Sequence, residues 1–334
     1  MFEQWIDFLN DRGVKTEVIE SLSPIIQTLS SNKLPVIFEF EHLAKILGFN
    51  EASLASMINS PSNFYRTFYI PKRRGGKREI CSPYPSLLEC QRWIYKNILL
   101  KLDIHSAAHG FAPGRSIITN AKCHLSKNAV LKIDLKDFFN SIPINWVINL
   151  FYSLGYPRNI SFYLASLCCL EGSLSQGAVT SPYLSNLLVK QLDSRLTNLS
   201  LKHHLVYSRY ADDMSFSGAY VSKNFISSVG EVITDFGLMV NHSKTSLRTG
   251  NSKKAITGII VSGNRLRASK QLKRKLSQEV HYIKKFGFLS HINKLKIRDP
   301  NYKLSLIGKL NFLKQVEPDN EFAIDALNYL RKLE

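Results

Sequence analysis

Cysteine is scarce in this chain and is not arranged for cross-linking or metal binding. The five cysteines include no CxxC pair; Cys168 and Cys169 are adjacent and the others are scattered. The sequence therefore predicts neither a zinc site nor a disulfide framework. A chain without disulfides suits a reducing compartment, which indicates the cytoplasm.

Long apolar runs are also missing. The apolar run ISFYLASLCCL is far shorter than the roughly 20 residues that span a bilayer. The first residues, MFEQWIDFLNDR, carry acids where a signal peptide carries lysines. We therefore expect a cytoplasmic protein with no membrane partner.

Repeats and low-complexity tracts do not occur, which argues against a solenoid or a disordered chain. The hydrophobic content of 44% is ample for folded cores. The length of 334 residues leaves room for roughly two or three domain-sized units.

Acidic residues become rare after the first sixty positions. Residues 1–60 hold eight acids and four bases, net −4, so the rest of this +18 chain carries +22. The densest basic segment, residues 265–285, has eight bases and the single acid Glu279. A sustained excess of this kind attracts polyanions, and nucleic acid is the commonest such partner.

The first sixty residues have a helical pattern. In EHLAKILGFNEASLASMI, apolar residues recur at helical spacing on both sides of Gly48. Two interpretations are open: a helix-turn-helix that binds nucleic acid, or a plain helical pair packed on the body of the protein. The net acidic charge favours the plain pair.

Two β-rich runs joined by a basic Gly-Gly turn predict a hairpin at residues 64–84. Five bases lie between Lys72 and Arg78. Arginine and lysine at such a tip suit the oxygens of a triphosphate. A plain solvated hairpin is the alternative.

Three aspartates lie on or beside predicted strands. Asp134 is in AVLKIDLKDFFNSI, where apolar and polar residues alternate. Asp212 and Asp213 are in YSRYADDMSFSG, between two alternating runs, so the pair is predicted in the turn of a hairpin. Taken singly, each has an ordinary explanation, because Asp is a good turn residue.

A loop and a helix are predicted in SLSQGAVTSPYLSNLLVKQLDSRL. Ser181 is the expected N-cap, with Pro182 at the first helical position and leucines at helical spacing through Leu192. Gly177 in the loop permits a close backbone approach, either by a ligand or by another strand.

Three carboxylates in a basic chain that binds polyanions indicate a metal site. Gathered carboxylates repel one another, and a divalent cation removes that cost; oxygen ligands select Mg²⁺ or Mn²⁺ over zinc. Two such ions about 4 Å apart stabilise the attacking and leaving oxygens of phosphoryl transfer.

Together these segments resemble the ordered motifs of reverse transcriptases. IPKRRGGKREI, LKIDLKDFF, LSQGAVTSPYLSNLL, YADD and GLMVNHSKTSL follow one another in the family's order. The resemblance implies an RNA-directed DNA polymerase with an α+β, right-hand architecture. The implied regions are a helical N-terminal region (1–60), fingers (61–128), a palm whose antiparallel sheet carries the acids (129–263, with fingers elements interleaved) and a basic helical thumb (264–334).

The resemblance also assigns catalytic roles. Asp134, Asp212 and Asp213 would form the acidic cluster and hold two Mg²⁺ ions, with an oxygen from the Leu135 backbone carbonyl. Lys244 resembles the lysine proposed as general acid toward the leaving pyrophosphate, its alternative being an ordinary surface lysine.

Five further residues match the family's nucleotide-binding positions. Phe139 resembles the steric gate that presses on a ribose 2′-OH and so favours deoxynucleotides. Gln176 and Gly177 resemble the loop that positions the nucleotide and the templating base. Lys72 and Arg78 resemble the bases that bind the triphosphate.

Two short elements resemble retron reverse transcriptases in particular. NAKCH places Asn120, Ala121 and His124 in an NAxxH element, and ITG places Thr257 and Gly258 in an element that is VTG in that family. Because the sequence ends at Glu334, we expect no ribonuclease H, integrase or endonuclease domain. The alternatives are a group II-like or abortive-infection reverse transcriptase and, outside the enzymes, a nucleic-acid-binding regulator.

A retron enzyme implies particular partners. It would use dNTPs to copy part of a cognate structured noncoding RNA (msr-msd) into a branched RNA–DNA (msDNA), primed from a guanosine 2′-OH. Host ribonuclease H would remove the copied template. An effector or toxin protein would act with it in anti-phage defence.

Overall fold

A computed structural model describes residues 2–72 and 75–333. Arg73 and Arg74, two of the five bases at the predicted hairpin tip, lie outside the described residues, as do the two terminal residues. No helix among the described residues is long and apolar enough to cross a membrane.

Helices form most of the chain. The α-helices are α1 (Phe2–Asp11), α2 (Thr16–Ser31), α3 (Phe40–Leu47), α4 (Glu51–Asn59), α5 (Pro85–Asn97), α6 (Ile117–Lys122), α7 (Ile144–Ser153), α8 (Arg158–Cys168), α9 (Ser181–Leu188), α10 (Lys190–Lys202), α11 (Lys223–Asp235), α12 (Lys270–Phe286), α13 (Phe288–Leu295), α14 (Tyr302–Val316) and α15 (Glu321–Lys332). The strands are β1 (Tyr65–Pro71), β2 (Lys77–Pro83), β3 (Ala129–Asp134), β4 (Cys169–Leu170), β5 (Ser173–Leu174), β6 (Val206–Tyr210), β7 (Asp213–Gly218), β8 (Ser246–Thr249), β9 (Ala255–Ile256) and β10 (Ile259–Ile260).

The chain divides into two compact units, each assembled from three segments. The first unit comprises Met1–Ala112, Leu135–Leu196 and Glu231–Val240, and the second comprises Pro113–Asp134, Thr197–Gly230 and Asn241–Glu334. Contacts between residues distant in sequence therefore hold each unit together. The boundaries of fingers, palm and thumb given above stay a prediction.

In the first unit, the N-terminal helices pack on the body. α3 ends at Gly48, whose φ of 78° is left-handed, and the Asn50 side chain caps α4. Leu43, Leu54 and Met57 are buried; α3 contacts α5 and α8, and α4 contacts α8. These contacts support the plain helical pair.

The predicted basic hairpin of the first unit is present. β1 pairs with β2 from Tyr65 opposite Pro83 to Pro71 opposite Lys77. Gly75 and Gly76 both have positive φ, a conformation that glycine adopts without steric cost. The two glycines therefore adopt the backbone conformation that a tight turn requires, as the sequence indicated.

The second unit contains an antiparallel sheet in the order β6-β7-β3-β8. The β3 residues Leu131 and Ile133 are buried, as the alternation predicted. β7 pairs with β6 on one side and with β3 on the other. The strands that carry the three aspartates are thus neighbours in one sheet.

The helices after residue 264 contribute to an apolar core of the second unit that also includes Val130 of β3. It includes Leu276 of α12, Leu310 of α14 and Leu327 of α15, together with Ile256 and Ile259 of the β9–β10 hairpin. The helical periodicity predicted for the basic segment is confirmed.

Three local predictions were wrong by one or a few residues. The N-cap of α9 is Thr180 rather than Ser181, and the predicted long helix breaks at Val189 into α9 and α10. Asp213 is the first residue of β7 and not part of the turn, because it pairs with Tyr210.

Glu317 ties the end of α14 to the start of α12. Its carboxylate accepts hydrogen bonds from the Ala268 amide (2.9 Å), Lys273 Nζ (3.1 Å) and Asn320 Nδ2 (2.8 Å). Burial by itself would raise the pKa of Glu317, but these hydrogen bonds outweigh it and hold the pKa below its ordinary value.

Replacing Glu317 with Gln should therefore destabilise the protein at neutral pH and much less in acid. A lowered folded-state pKa contributes stability above the unfolded-state value of about 4.3, and that contribution is lost as pH falls through the folded-state pKa. We expect a loss of roughly 1 kcal/mol at neutral pH, measured by denaturant unfolding across the pH range. Glu20→Gln, an exposed change in α2, is the control. Equal losses in acid and at neutral pH would contradict the prediction.

Candidate active site

The turn between β6 and β7 consists of Ala211 and Asp212. Ala211 has a φ of 55°, in the left-handed region that two-residue hairpin turns use. The buried Arg209 of β6 donates from Nη1 to the Ala211 carbonyl (3.1 Å). A tight turn, held by a buried guanidinium, therefore presents Asp212 at the end of the hairpin.

Strand pairing brings the other two aspartates together. Asp134 is the last residue of β3 and lies directly opposite Asp213, the first residue of β7. Directly opposed residues of antiparallel strands have Cβ atoms roughly 5 Å apart. The three predicted aspartates therefore gather at one end of the sheet.

Burial and mutual repulsion disfavour charge on this cluster. Burial raises the pKa of Asp212, and the nearby Asp134 carboxylate raises it further. Burial also raises the pKa of Asp213, although the Lys132 ammonium opposes that shift. Keeping these carboxylates ionised thus costs folding free energy, which a bound cation would recover.

Two lysines and an asparagine contact the acids. Lys132 Nζ lies 2.9 Å from Asp213 Oδ2, and Lys244 Nζ lies 2.8 Å from Asp134 Oδ1. Asn241 Nδ2 donates to the same Asp134 oxygen (3.1 Å), and the Asn241 amide donates to the Asp134 carbonyl (2.7 Å). Lys244 is therefore part of the acidic cluster, as its predicted role requires.

The donor set fits a divalent cation. No group of three or more His, Cys, Asp or Glu side chains within residues 2–72 and 75–333 is arranged to hold a metal as it stands. Instead, ammonium groups of Lys132 and Lys244 bind two of the three carboxylates. These contacts show that the cluster attracts positive charge, and its ligands are the hard oxygens that Mg²⁺ prefers.

Leu135, whose carbonyl was predicted to bind metal, continues the chain from Asp134. It forms an antiparallel β-bridge with Val240, and the next amide, that of Lys136, donates to the Met239 carbonyl (2.9 Å). The predicted metal contact of Leu135 stays a prediction.

In the first unit, Gly177 lies against strand β2. Its φ is 126°, and a Cβ added to it would lie 2.6 Å from the Cys81 carbonyl oxygen. The Cys81 amide donates to the Gln176 carbonyl (2.8 Å). The sequence allowed either a ligand or another strand to approach Gly177, and in the structure it is a strand, β2. The loop is therefore attached to the basic hairpin.

Gln91 holds the same loop from the other side, and sequence reasoning missed it. This buried side chain of α5 donates to Tyr65 Oη (2.8 Å) and the Leu167 carbonyl (2.9 Å), and it accepts from the Val179 amide (3.1 Å). A glutamine within an apolar helix face was the only available signal.

Phe139 belongs to an aromatic group in the first unit. Its ring centroid lies 5.5 Å from that of Phe138 and 6.4 Å from that of Phe111. Phe138 is buried and Phe139 is half-buried, so part of Phe139 is accessible.

Lys72 and Arg78 lie near the turn of the basic hairpin. Arg78 is on β2 opposite Ile70, and the Lys72 amide donates to the Gly76 carbonyl (2.9 Å). Both side chains are exposed. Both side chains can therefore contact a ligand that approaches from solvent.

The NAxxH element is buried inside the second unit. Asn120, Ala121 and His124 are all fully buried. Ser208 Oγ donates to Asn120 Oδ1 (2.5 Å) and lies 2.7 Å from His124 Nε2, while Ser217 Oγ lies 2.6 Å from His124 Nδ1. In a neutral imidazole, Nε2 therefore donates to Ser208, and Nδ1 accepts from Ser217.

The ITG element forms the turn of the β9–β10 hairpin. Thr257 and Gly258 have φ values of 45° and 88°, and a two-residue type I′ hairpin turn needs positive φ at both positions. Thr257 Oγ1 donates to the carbonyl of Ile117 on α6 (3.3 Å). The two short elements are thus neighbours in space, although Ile117 and Thr257 are 140 positions apart in the chain.

Sequence reasoning also missed two members of the acidic cluster. Lys132 is close to Asp134 in the sequence, but its ammonium contacts Asp213 on the next strand. Asn241, in the NHSK stretch, was not singled out at all. Only strand register, which pairs residues far apart in the chain, reveals both contacts.

A family model of reverse transcriptases, described as RNA-dependent DNA polymerases, matches residues 70–289, more than half of the chain. The chain is 33% identical over 257 residues to the retron Ec86 reverse transcriptase of Escherichia coli, a match that covers 75% of this chain and 79% of that protein. The chain belongs to the retron reverse transcriptases. The enzyme is also 33% identical over 311 residues to the retron Mx65 reverse transcriptase of Myxococcus xanthus, covering 83% of this chain and 73% of that one.

Solved structures align more weakly with the enzyme. Apo telomerase from Candida tropicalis aligns with a TM-score of 0.46 at 12% identity, covering 79% of this chain and 57% of that chain. The foamy viral protease-reverse transcriptase in complex with an RNA/DNA hybrid aligns with a TM-score of 0.38 at 15% identity, covering 80% and 33%. These low scores add nothing to the family assignment.

Family membership confirms several predictions. The enzyme is an RNA-directed DNA polymerase of the α+β right-hand class, and nucleic acids are its partners. Reverse transcriptases use divalent metal ions, which agrees with the donor chemistry of the acidic cluster. The alternative of a non-enzymatic regulator is wrong, and the retron relatives favour the retron assignment over the group II-like and abortive-infection alternatives.

Replacing Asp212 with Asn should stabilise the metal-free enzyme and remove most of its stabilisation by Mg²⁺. A raised folded-state pKa means that ionisation above about pH 4 costs stability, so the neutral amide relieves that cost. We expect the melting temperature without metal to rise by about 2–4 °C per kcal/mol relieved. Wild type should gain stability as Mg²⁺ is added, since a ligand of the folded state stabilises it. Asp319→Asn, at an exposed position, is the control, and an undiminished Mg²⁺ shift in Asp212→Asn would contradict the assignment.

Proposed function

We propose that this enzyme copies part of a cognate structured noncoding RNA into a branched RNA–DNA, with synthesis primed from a guanosine 2′-OH. The observation that carries the proposal is the gathering of Asp134, Asp212 and Asp213 at one end of the sheet. The names of the retron relatives support the retron-specific part.

Asp134, Asp212, Asp213 and the Leu135 carbonyl would hold two Mg²⁺ ions, with Mn²⁺ as a substitute. Bound ions of this kind stabilise the charge on the attacking and leaving oxygens. The ammonium of Lys244 carries a proton on Nζ and is held at Asp134 by their 2.8 Å contact. Lys244 is therefore suited to donate that proton to the leaving pyrophosphate.

The incoming deoxynucleotide would contact residues of the first unit. Lys72 and Arg78 carry the positive charge that a triphosphate needs, and both are exposed. Gln176 and Gly177 would align the nucleotide with the templating base, because the loop is fixed to β2 and to Gln91. The half-buried Phe139 ring would exclude a 2′-OH.

The wider system follows from this reaction. The copied RNA would be removed by host ribonuclease H, and an effector or toxin protein would join the RNA–DNA product in defence against phage. Residues 264–334 would act as the thumb, in which the +18 chain has its densest run of bases. Electrostatic attraction of this kind holds the RNA backbone without selecting a sequence.

Asp212→Asn should abolish the branched product while the protein remains folded and bound to RNA. The carboxylate oxygen that ligates metal is lost, whereas the shape of the turn is kept. The enzyme is purified from its native operon, and its nucleic acid is treated separately with RNase, DNase and debranching enzyme. Wild type should carry single-stranded DNA joined to RNA by a debranching-sensitive linkage. Active wild-type polymerase without a branched product would reject the retron reaction and keep the reverse transcriptase.

Phe139→Ala should let the enzyme incorporate ribonucleotides. Removing the ring opens space for a 2′-OH, and we expect ribonucleotide use to rise about ten-fold or more relative to deoxynucleotides. Single-nucleotide extension on a fixed primer-template measures the ratio. Phe162→Ala, an exposed phenylalanine of the same unit, is the matched control. Unchanged sugar selectivity would place the gate at another residue.

A further inference from the structure

Phe111, at the end of a loop in the first unit, lies beside the Phe139 ring. The two ring centroids are 6.4 Å apart and the ring planes are inclined by 49°. The Phe138 ring lies 5.5 Å from that of Phe139, also at 49°. Aromatic pairs attract one another at centroid separations of roughly 4.5–7 Å. Phe139 thus has two aromatic neighbours, one adjacent in the chain and one from a separate loop.

The backbone of Phe111 has an unusual conformation. Its φ is 58°, in the left-handed region where the side chain of a bulky residue crowds the backbone. Glycine adopts this conformation without that cost. Strained residues of this kind persist where the surrounding structure fixes them, and they cluster at ligand sites and active sites. A phenylalanine ring is kept at this position despite a conformational cost, which indicates that the ring has a use.

A buried side chain of α9 fixes the residue before Phe111. Asn186 is fully buried, and its Nδ2 donates to the Gly110 carbonyl (2.8 Å). Gly110 is itself buried. Because the peptide that precedes Phe111 is held from inside the unit, the direction in which its ring projects is constrained.

Two further side chains hold the start of the same loop. Tyr183 Oη of α9 donates to the Leu102 carbonyl (2.9 Å), and Lys190 Nζ at the start of α10 donates to the Asp103 carbonyl (2.8 Å). α9 directly follows the loop that is proposed to align the nucleotide. The loop that carries Phe111 is thus attached at both of its ends to the helices behind the proposed nucleotide site.

A ring that excludes a 2′-OH has to be held in place. Phe139 is half-buried, so part of it is free of protein contacts. A ring that can turn away admits a larger sugar, whereas a ring whose rotamer is locked by its neighbours forces a clash. Phe111 is 43% exposed, so this aromatic pair lies where a nucleotide can reach it from solvent.

We propose that Phe111 is a positioning residue for sugar selection. Its ring confines the ring of Phe139, and the strained, anchored loop holds the Phe111 ring against it. Phe111 acts through Phe139 and does not itself exclude the 2′-OH. This inference rests on the proposed role of Phe139 as the gate.

Phe111→Ala should weaken the discrimination between sugars in the full-length enzyme. We expect ribonucleotide use relative to deoxynucleotide use to rise about three- to ten-fold, which corresponds to the interaction of one aromatic pair. Single-nucleotide extension on a fixed primer-template measures kcat/KM for each nucleotide. Phe111→Tyr retains the ring and should keep the wild-type ratio. Phe162→Ala, at a phenylalanine of the same unit that is 46% exposed, is the matched control.

A double-mutant cycle distinguishes positioning from direct contact with the sugar. If Phe111 acts through Phe139, Phe111→Ala has nothing left to confine once Phe139 is alanine. The double variant should therefore have the same sugar ratio as Phe139→Ala alone. A full additional rise in the double variant would mean that Phe111 acts on the sugar by itself, which overturns the proposal.

Phe111→Gly separates selectivity from stability. It removes the same ring as Phe111→Ala, but glycine relieves the strain of the positive φ, so it should melt at a higher temperature than Phe111→Ala. Both variants should lose sugar selectivity to the same extent. A loss of selectivity that follows the melting temperature instead would leave Phe111 with a structural role alone, contrary to the proposal.

The same measurements separate this inference from the gate on which it rests. Unchanged sugar selectivity in Phe139→Ala would reject the gate and the role of Phe111 together. Relaxed selectivity in Phe139→Ala with wild-type selectivity in Phe111→Ala would keep the gate and overturn the role of Phe111 alone.

Discussion

The pairing of Asp134 with Asp213 across β3 and β7 is the constraint on which the proposed catalytic centre depends. It forces like charges together at the end of the sheet, where burial and repulsion both raise the pKa values of Asp212 and Asp213. Lys132 and Lys244 offset part of that cost by binding two of the carboxylates. The ionised carboxylates of this cluster therefore lower the stability of the folded enzyme, and a bound cation would offset that loss.

Other residues of the second unit hold the β6–β7 hairpin, which carries Asp212 and Asp213, in place. The buried His124 bonds Ser208 on β6 and Ser217 on β7, and Asn120 accepts from the same Ser208. The ITG turn contacts α6, the helix that leads into this network. The two elements that resemble those of retron enzymes are thus linked to the strands that carry the aspartates.

In the first unit, the loop proposed to bind the nucleotide is likewise held by residues outside it. Gly177 leaves room for the Cys81 carbonyl, and Gln91 satisfies donors and acceptors from three different segments. Buried polar groups of this kind are costly when unpaired, so a complete set of partners fixes one conformation. The loop gains its precision from contacts with segments that are far away in the sequence.

The sequence alone determined the reverse transcriptase motifs, the three aspartates, the basic hairpin and the helical C-terminal region, because period, turn chemistry and motif order are local properties. Tertiary structure alone decided which lysine binds which aspartate, the break at Val189 and the place of Asp213 in a strand. It also revealed the partners of His124 and Gln91 and the contact of Phe111 with Phe139. These features depend on strand register and on packing between distant segments, and neither has a signature in a local stretch of residues.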